Sequence, residues 1–140
     1  MKKYIGTKII SAEPKTLLTA DGEREGYKVV YKDGYESWSP KEAFEEAYVA
    51  IDSIPSILKL DDLKAKIVAE RFLKVGDTTT IVCNLLLENG FVVTGTSACI
   101  DPAKYDESIG KQIAYDNAVD KMWRLEGYLL AQRRFEAGVA

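Results

Sequence analysis

The sequence predicts an α+β protein: a small antiparallel β module with a capped helix, then an antiparallel β-hairpin sheet packed on a long C-terminal helix. Three observations carry this expectation. Strand-like runs rich in Val, Ile, Thr and Tyr are punctuated by Asp33-Gly34 and Asn89-Gly90, dipeptides that favour hairpin turns. Ser39-Pro40-Lys41-Glu42 has the residue types of a helix start. The stretch from Glu107 to Arg134 repeats apolar residues at helical spacing and contains no proline.

In order along the chain, Tyr4–Ile10 alternates like a strand and Glu13-Pro14 ends it. Gly26–Tyr31 is a second strand, Asp33-Gly34 its turn, and Tyr35–Trp38 the returning strand. Tyr27, Tyr31, Tyr35 and Trp38 make this hairpin rich in aromatics. Cross-strand packing in a module short of aliphatic core accounts for them, and peptide or ligand binding is the alternative. Ser39 is expected to cap a helix with Pro40 in its first position and Glu42 completing a capping box. The stripe of that helix is Ala43, Phe44, Ala47, Tyr48 and Ile51. Residues 1–52 therefore form a β-β-β-α module, 53–65 a linker with room for one helical turn, containing Pro55 and Asp61-Asp62, and 66–140 the second part.

Lys66–Leu73 alternates poorly and is open to either helix or strand, and Gly76-Asp77 is a turn. Thr79–Glu88 and Phe91–Ile100 read as strands around Asn89-Gly90. A two-residue turn there sets Glu88 against Phe91, Leu85 against Thr94 and Cys83 against Thr96. One face then carries Ile81, Cys83, Leu85, Leu87, Val92, Ala98 and Ile100, the expected core. The other is mixed: Val82, Asn84, Leu86, Glu88, Phe91, Val93, Gly95, Ser97 and Cys99. On this register Cys83 and Cys99 lie on opposite faces, which argues against a disulfide. Asp101-Pro102 ends the sheet, and Asp106 is the expected cap of a helix running to Arg134. Its residues Ala114, Tyr115, Ala118, Val119, Met122, Trp123, Leu125, Leu129 and Leu130 span about half of the wheel, wider than one sheet needs. The surplus points to a second packing partner, either the N-terminal module or another copy of the chain.

Composition narrows the chemistry. The chain has 140 residues, 46% hydrophobic and 29% charged, the balance of a folded protein of one domain with a small appendage. A net charge of -3 argues against general nucleic-acid affinity, which rests on a basic field. No apolar run reaches the length of a membrane helix, and the amino end lacks the apolar core of a secretory signal, so a cytoplasmic location is expected. Histidine is absent, which removes Ser-His-Asp and Cys-His catalysis and histidine general bases. Asp116 and Asp120 lie one helical turn apart and could hold a cation or act as an acid–base pair. A solvated face is the simpler reading, with Arg124 placed to pair with Asp120. Aromatics beside cations, at Phe91, Trp123-Arg124 and Arg71-Phe72, could sandwich a nucleobase and hold phosphates. The plainer account makes them core or interface residues.

Two stretches carry a resemblance. KYIGTK (3–8) and GYKVVYKDGYESWSPKEAFEEAY (26–48) resemble a small N-terminal module of phage and prophage proteins. NGF (89–91), SACIDP (97–102), IAYDNA (113–118) and LEGYLL (125–130), in that order, resemble an uncharacterised phage protein family of coliphages and Shigella phages. The architecture is similar to phage anti-defence proteins that sequester nucleotide immune signals, notably the Thoeris anti-defence sponge, which captures cyclic ADP-ribose isomers. That resemblance implies a non-enzymatic homo-oligomer, without cofactor, in the cytoplasm of the infected host. Its partner would be a small nucleotide, bound at subunit interfaces and not cleaved. Phe91 would stack on the base, and Asp101, Tyr115, Asn117 and Lys121 would line the pocket. Arg71, Arg124 or a lysine would meet the pyrophosphate. The alternative function is inhibition of a host protein by direct binding through the N-terminal aromatic hairpin.

Overall fold

A computed structural model describes residues 1–139, which divide into two units, Met1–Ile54 and residues 55–139. In the first unit, β1 (Ser11–Pro14), β4 (Gly26–Val30) and β5 (Glu36–Pro40) form an antiparallel sheet in the order β1-β4-β5. Between β1 and β4 lies a small hairpin not expected from the sequence, β2 (Leu17–Thr19) and β3 (Gly22–Arg24), turned at Gly22 with φ 114°.

The expected strand over Tyr4–Ile10 is displaced to Ser11–Pro14. The ladder pairs Ser11 with Val30 and Pro14 with Tyr27, so the partners of residues before Ser11 would lie in the turn after Val30. Pro14, with no N–H, sits at an edge, where the ladder loses nothing. Asp33-Gly34 turns the chain, but inside a three-residue loop and not as a two-residue turn. Tyr31 N–H donates to Tyr35 O at 2.9 Å, Gly34 N–H to Tyr31 O at 2.9 Å, and among the three loop residues Gly34 has positive φ (89°).

Helix α1 (Lys41–Ala47) follows β5 without a loop, and this defeats the expected capping box. Ser39 and Pro40 are still paired in the sheet, opposite Tyr27 and Gly26, so the residue ahead of the helix is Pro40 and no side chain caps it. The helix stops at Ala47, which leaves Ile51 outside it in a short 3₁₀ turn, Ile51–Ser53. Aromatic packing holds the unit together. Tyr27 stacks on Phe44 at 4.1 Å and Phe44 on Tyr48 at 5.0 Å. The Trp38 indole lies across Gly26, where a Cβ would come within 2.3 Å of the ring, and its Nε1–H donates to Lys15 O at 2.8 Å. Val29, on the opposite face of the sheet from Trp38, is fully buried.

The second unit contains α2 (Leu60–Lys64), β6 (Ile67–Lys74), β7 (Ile81–Leu87), β8 (Val92–Ser97) and α3 (Glu107–Glu136). Within residues 53–65 the one helical turn that the sequence allows is α2, and it does more than connect, because it buries Leu63 completely. Of residues 66–73, which the sequence allows as helix or strand, 67–73 fall in β6, with a bulge between Ile67 and Ala69, and Lys66 lies in the turn before it. The sheet is antiparallel, in the order β6-β7-β8.

The β7–β8 register differs by one residue from the sequence expectation. Leu85 pairs with Val93 and Cys83 with Gly95, because the connection is a three-residue loop. Leu87 N–H donates to Phe91 O, Gly90 N–H to Leu87 O, and Gly90 has φ 87°. A one-residue slip moves every β8 side chain to the other face. Val93, Gly95 and Ser97 therefore join Ile81, Cys83, Leu85 and Leu87 against the helix, while Val92 faces away. Ala98 and Ile100 lie past the end of β8 and are exposed. The same slip removes the opposite-face argument for the cysteines. Cys83 is a buried free thiol, and Cys99, beyond the strand, donates its S–H to Asp101 O at 3.1 Å.

Helix α3 begins as expected at Asp106, whose Oδ1 accepts from the N–H groups of Ser108 and Ile109. It packs on β7 and β8 through Ala114, Ala118, Val119 and Met122. Gly95 makes the approach possible: a Cβ there would lie 2.2 Å from both Ala114 O and Ala118 N. Thirty residues give about 45 Å of helix, whereas a seven-residue strand is roughly 24 Å long. The apolar stripe therefore outruns the sheet, which leaves Leu125 and Leu129 exposed on the continuation of the packed face.

Candidate functional site

A groove of about 710 Å³ in the first unit is lined by Thr7–Ile10 on one side and by Tyr31, Lys32, Asp33 and Tyr35 on the other. The β4–β5 loop builds its aromatic wall. Tyr31 and Tyr35 close that loop across one backbone pair, so their rings stack 5.8 Å apart at 25°. Tyr35 is two-thirds exposed, while the Tyr31 hydroxyl is fixed by accepting from Ser37 Oγ at 3.2 Å. Lys8 Nζ stands 5.4 Å from the Tyr31 ring centre, a cation–π distance. Asp33 is engaged within the loop, where its Oδ1 accepts from Tyr35 N–H at 3.0 Å. The groove thus offers two aromatic faces, two ammonium groups (Lys8 and Lys32), the Thr7 hydroxyl and an apolar wall at Ile9 and Ile10.

The residues singled out in the sequence lie in the second unit and do not converge. Asn117 donates to Thr96 O at 2.7 Å and Lys121 to Thr94 O at 2.6 Å, so both are tied to the outer edge of β8. Tyr115 is half-buried on the other flank of α3, in a shallow groove with Glu70 and Phe72. Burial first, and then the Glu70 carboxylate, push its hydroxyl above the ordinary tyrosine pKa. Asp101 caps a 3₁₀ turn by accepting from Ala103 N–H. Arg71 reaches only its neighbour's carbonyl, Glu70 O, at 3.3 Å. Phe91 is exposed at the hairpin tip, and Arg124 is exposed on α3. Asp116 accepts from Gln112 Nε2 at 2.9 Å.

A second groove, about 360 Å³, lies under the overhanging end of α3 and is lined by Ile57, Leu58, Leu129, Leu130 and Arg133. At its rim Glu126, almost fully buried, binds Lys66 Nζ at 2.6 Å. The sequence singles out the aromatic hairpin that walls the first groove, with ligand binding as its lesser reading, but not the Thr7–Ile10 side, and it gives no sign of the second groove. The signal for the first was the spacing of Tyr31 and Tyr35 around Lys32-Asp33-Gly34, which a three-residue loop turns into a ring pair.

Residues 58–134, more than half of the chain and most of the second unit, match the sequence profile of a phage protein family. The chain belongs to the phage protein (N4 Gp49/phage Sf6 gene 66) family. The matched segment runs from just before α2 to near the end of α3, so the family's shared part is the sheet-and-helix unit, and the Tyr31–Tyr35 groove lies outside it. No curated protein and no solved structure matches the chain significantly. Among the described residues no helix is long and apolar enough to cross a membrane.

Proposed function

We propose that this phage protein binds a small nucleotide signal of the host and sequesters it without cleaving it, and that the Tyr31–Tyr35 groove is where the ligand sits. The observation that carries the reading is the pairing of two stacked tyrosine rings with Lys8 and Lys32 around one 710 Å³ groove. A nucleobase needs an aromatic face, and each stacked base contributes about 1–3 kcal/mol. A phosphate needs cations, and a lysine supplies a mobile point charge for it. Thr7 and Asp33 add hydrogen-bonding capacity at the rim for sugar hydroxyls.

The test is a thermal-shift screen against cyclic ADP-ribose isomers and cyclic oligonucleotides, with chromatography of the ligand after the protein is denatured. The proposal expects stabilisation of about 2.7 kcal/mol at a hundredfold excess over the dissociation constant, and intact ligand recovered. Degraded ligand would make the protein an enzyme. A flat screen would overturn nucleotide binding and turn attention to a host protein held by the same aromatic hairpin.

A further inference from the structure

The sheet of the second unit has two edges, and the structure treats them differently. On β8, the bond from Leu87 N–H to Phe91 O sets the ladder phase, so Thr94 and Thr96 turn their backbone groups outward. Both outward carbonyls are occupied, by Lys121 and Asn117 from α3. That edge is capped against another strand. On β6, Val75 N–H donates to Thr80 O, and the one-to-one register then turns Glu70, Phe72 and Lys74 outward. Along this edge the outward backbone groups take up, among the described residues, one hydrogen bond, the long 3.3 Å bond from exposed Arg71 to Glu70 O, while on the helix side Lys74 Nζ stands 4.7 Å from the Tyr105 ring and Lys111 Nζ 5.7 Å from the Phe72 ring. Helix α3 covers β7 and β8, so the side chains of Glu70 and Phe72 border an open groove of about 260 Å³.

We infer that β6 pairs antiparallel with β6 of a second copy, centred on Phe72, to make a continuous six-stranded sheet. Charge complementarity selects both the occupant and the register. With Phe72 opposite Phe72 of the other copy, each Glu70 stands opposite a Lys74, and both pairs lie at hydrogen-bonded positions that point outward. A twofold centred on Glu70, Arg71 or Lys74 sets like charges directly opposite each other, which destabilises a strand pair. One centred on Leu73 leaves both Glu70 and Lys74 facing uncharged residues. The bulge between Ile67 and Ala69 ends the pairing on one side and Gly76, at φ 54°, ends it on the other. Because the twofold consumes the open edge and the β8 edges stay capped, the assembly closes at two copies. This interface belongs to the second unit and does not rest on nucleotide binding by the first.

Light scattering of the full chain across a concentration series, with Glu70→Lys, Lys74→Glu and the double reversal, tests it. The wild type is expected at twice the chain mass. Each single reversal sets like charges opposite at both pairs and should weaken the dimer by about tenfold or more, and the double reversal should restore it. Hydrogen exchange at the Phe72 and Lys74 amides should be slow in the wild-type dimer and fast in either single variant. Circular dichroism confirms that the variants are folded, and the double reversal guards against a mere folding defect. A monomeric wild type, or a dimer indifferent to both single reversals, would overturn the inference.

Discussion

Replacing Gly95 by alanine tests the packing of the second unit at its tightest point. The added Cβ would lie 2.2 Å from Ala114 O, 2.2 Å from Ala118 N and 2.8 Å from Ala118 Cα. These are backbone atoms of a helix, so no side chain can rotate away. Restoring ordinary contact requires α3 to retreat by about 1 Å, and a gap of 0.5–1 Å already forfeits a quarter to a half of each dispersion contact. Ala114, Ala118, Val119 and Met122 all make their burial across this seam. Overpacking typically costs about 1–3 kcal/mol, and the backbone clash places Gly95→Ala at the upper end, about 3 kcal/mol or more. Gly127→Ala is the matched control. Gly127 lies in the same helix with nothing within 4 Å of an added Cβ, so alanine should stabilise by about 0.5–1 kcal/mol. Urea unfolding followed by circular dichroism measures both. If Gly95→Ala unfolds at the wild-type midpoint, the register and helix placement described above are wrong.

Lys66→Met should destabilise the second unit by about 1–3 kcal/mol in urea, because it strands the Glu126 carboxylate in a nearly buried site; the figure is lowered for the partial exposure of Lys66. Cys99 should react with a thiol reagent in the folded protein, while Cys83 should react only as the protein unfolds. Burial pushes the Cys83 thiol above its ordinary pKa, so the unfolded chain ionises first as pH rises through the thiol range. Stability should then fall on the alkaline side, which melts at stepped pH would record, and Cys83→Ala should lessen that slope. In the first unit, Gly26→Ala should force the Trp38 indole off β4, read as a shift in tryptophan fluorescence and a loss of the Nε1–H bond to Lys15 O.

Much of the fold was legible because local signals agreed with one another. The Asp106 cap, the uninterrupted helical periodicity and the two Gly-containing hairpin loops all lie where the sequence puts them. What failed were the features that depend on counting across a turn or on tertiary supply. Asn89-Gly90 fits a two-residue turn and a three-residue loop equally well, and the difference of one residue reverses β8. Ser39 carries a capping signature, yet the sheet claimed it as a strand residue opposite Tyr27. The apolar face of α3 is both longer and wider than the sheet needs: Leu125 and Leu129 continue the packed stripe beyond the strands, and Trp123, on its flank, stays partly exposed. For a binding site, the sequence pointed to aromatics beside cations in the hairpin and helix of the second unit, and the structure adds a second such grouping around Tyr31 and Tyr35 in the first. Asn117 and Lys121 show what a sequence does not reveal: polar helix residues look free until a strand edge takes up their donors.

The measurement closest to the central claim is a calorimetric titration of cyclic ADP-ribose isomers and cyclic oligonucleotides into wild type, Tyr35→Ala and Phe91→Ala. Tyr35 is exposed and its side chain holds no strand in place, so its removal should leave the fold intact. The account predicts binding to the wild type, a loss of about 10- to 100-fold for Tyr35→Ala from one lost stacking face, and no change for Phe91→Ala. Binding that survives Tyr35→Ala but fails in Phe91→Ala would move the site to the second unit, and the absence of binding by the wild type would contradict the account outright.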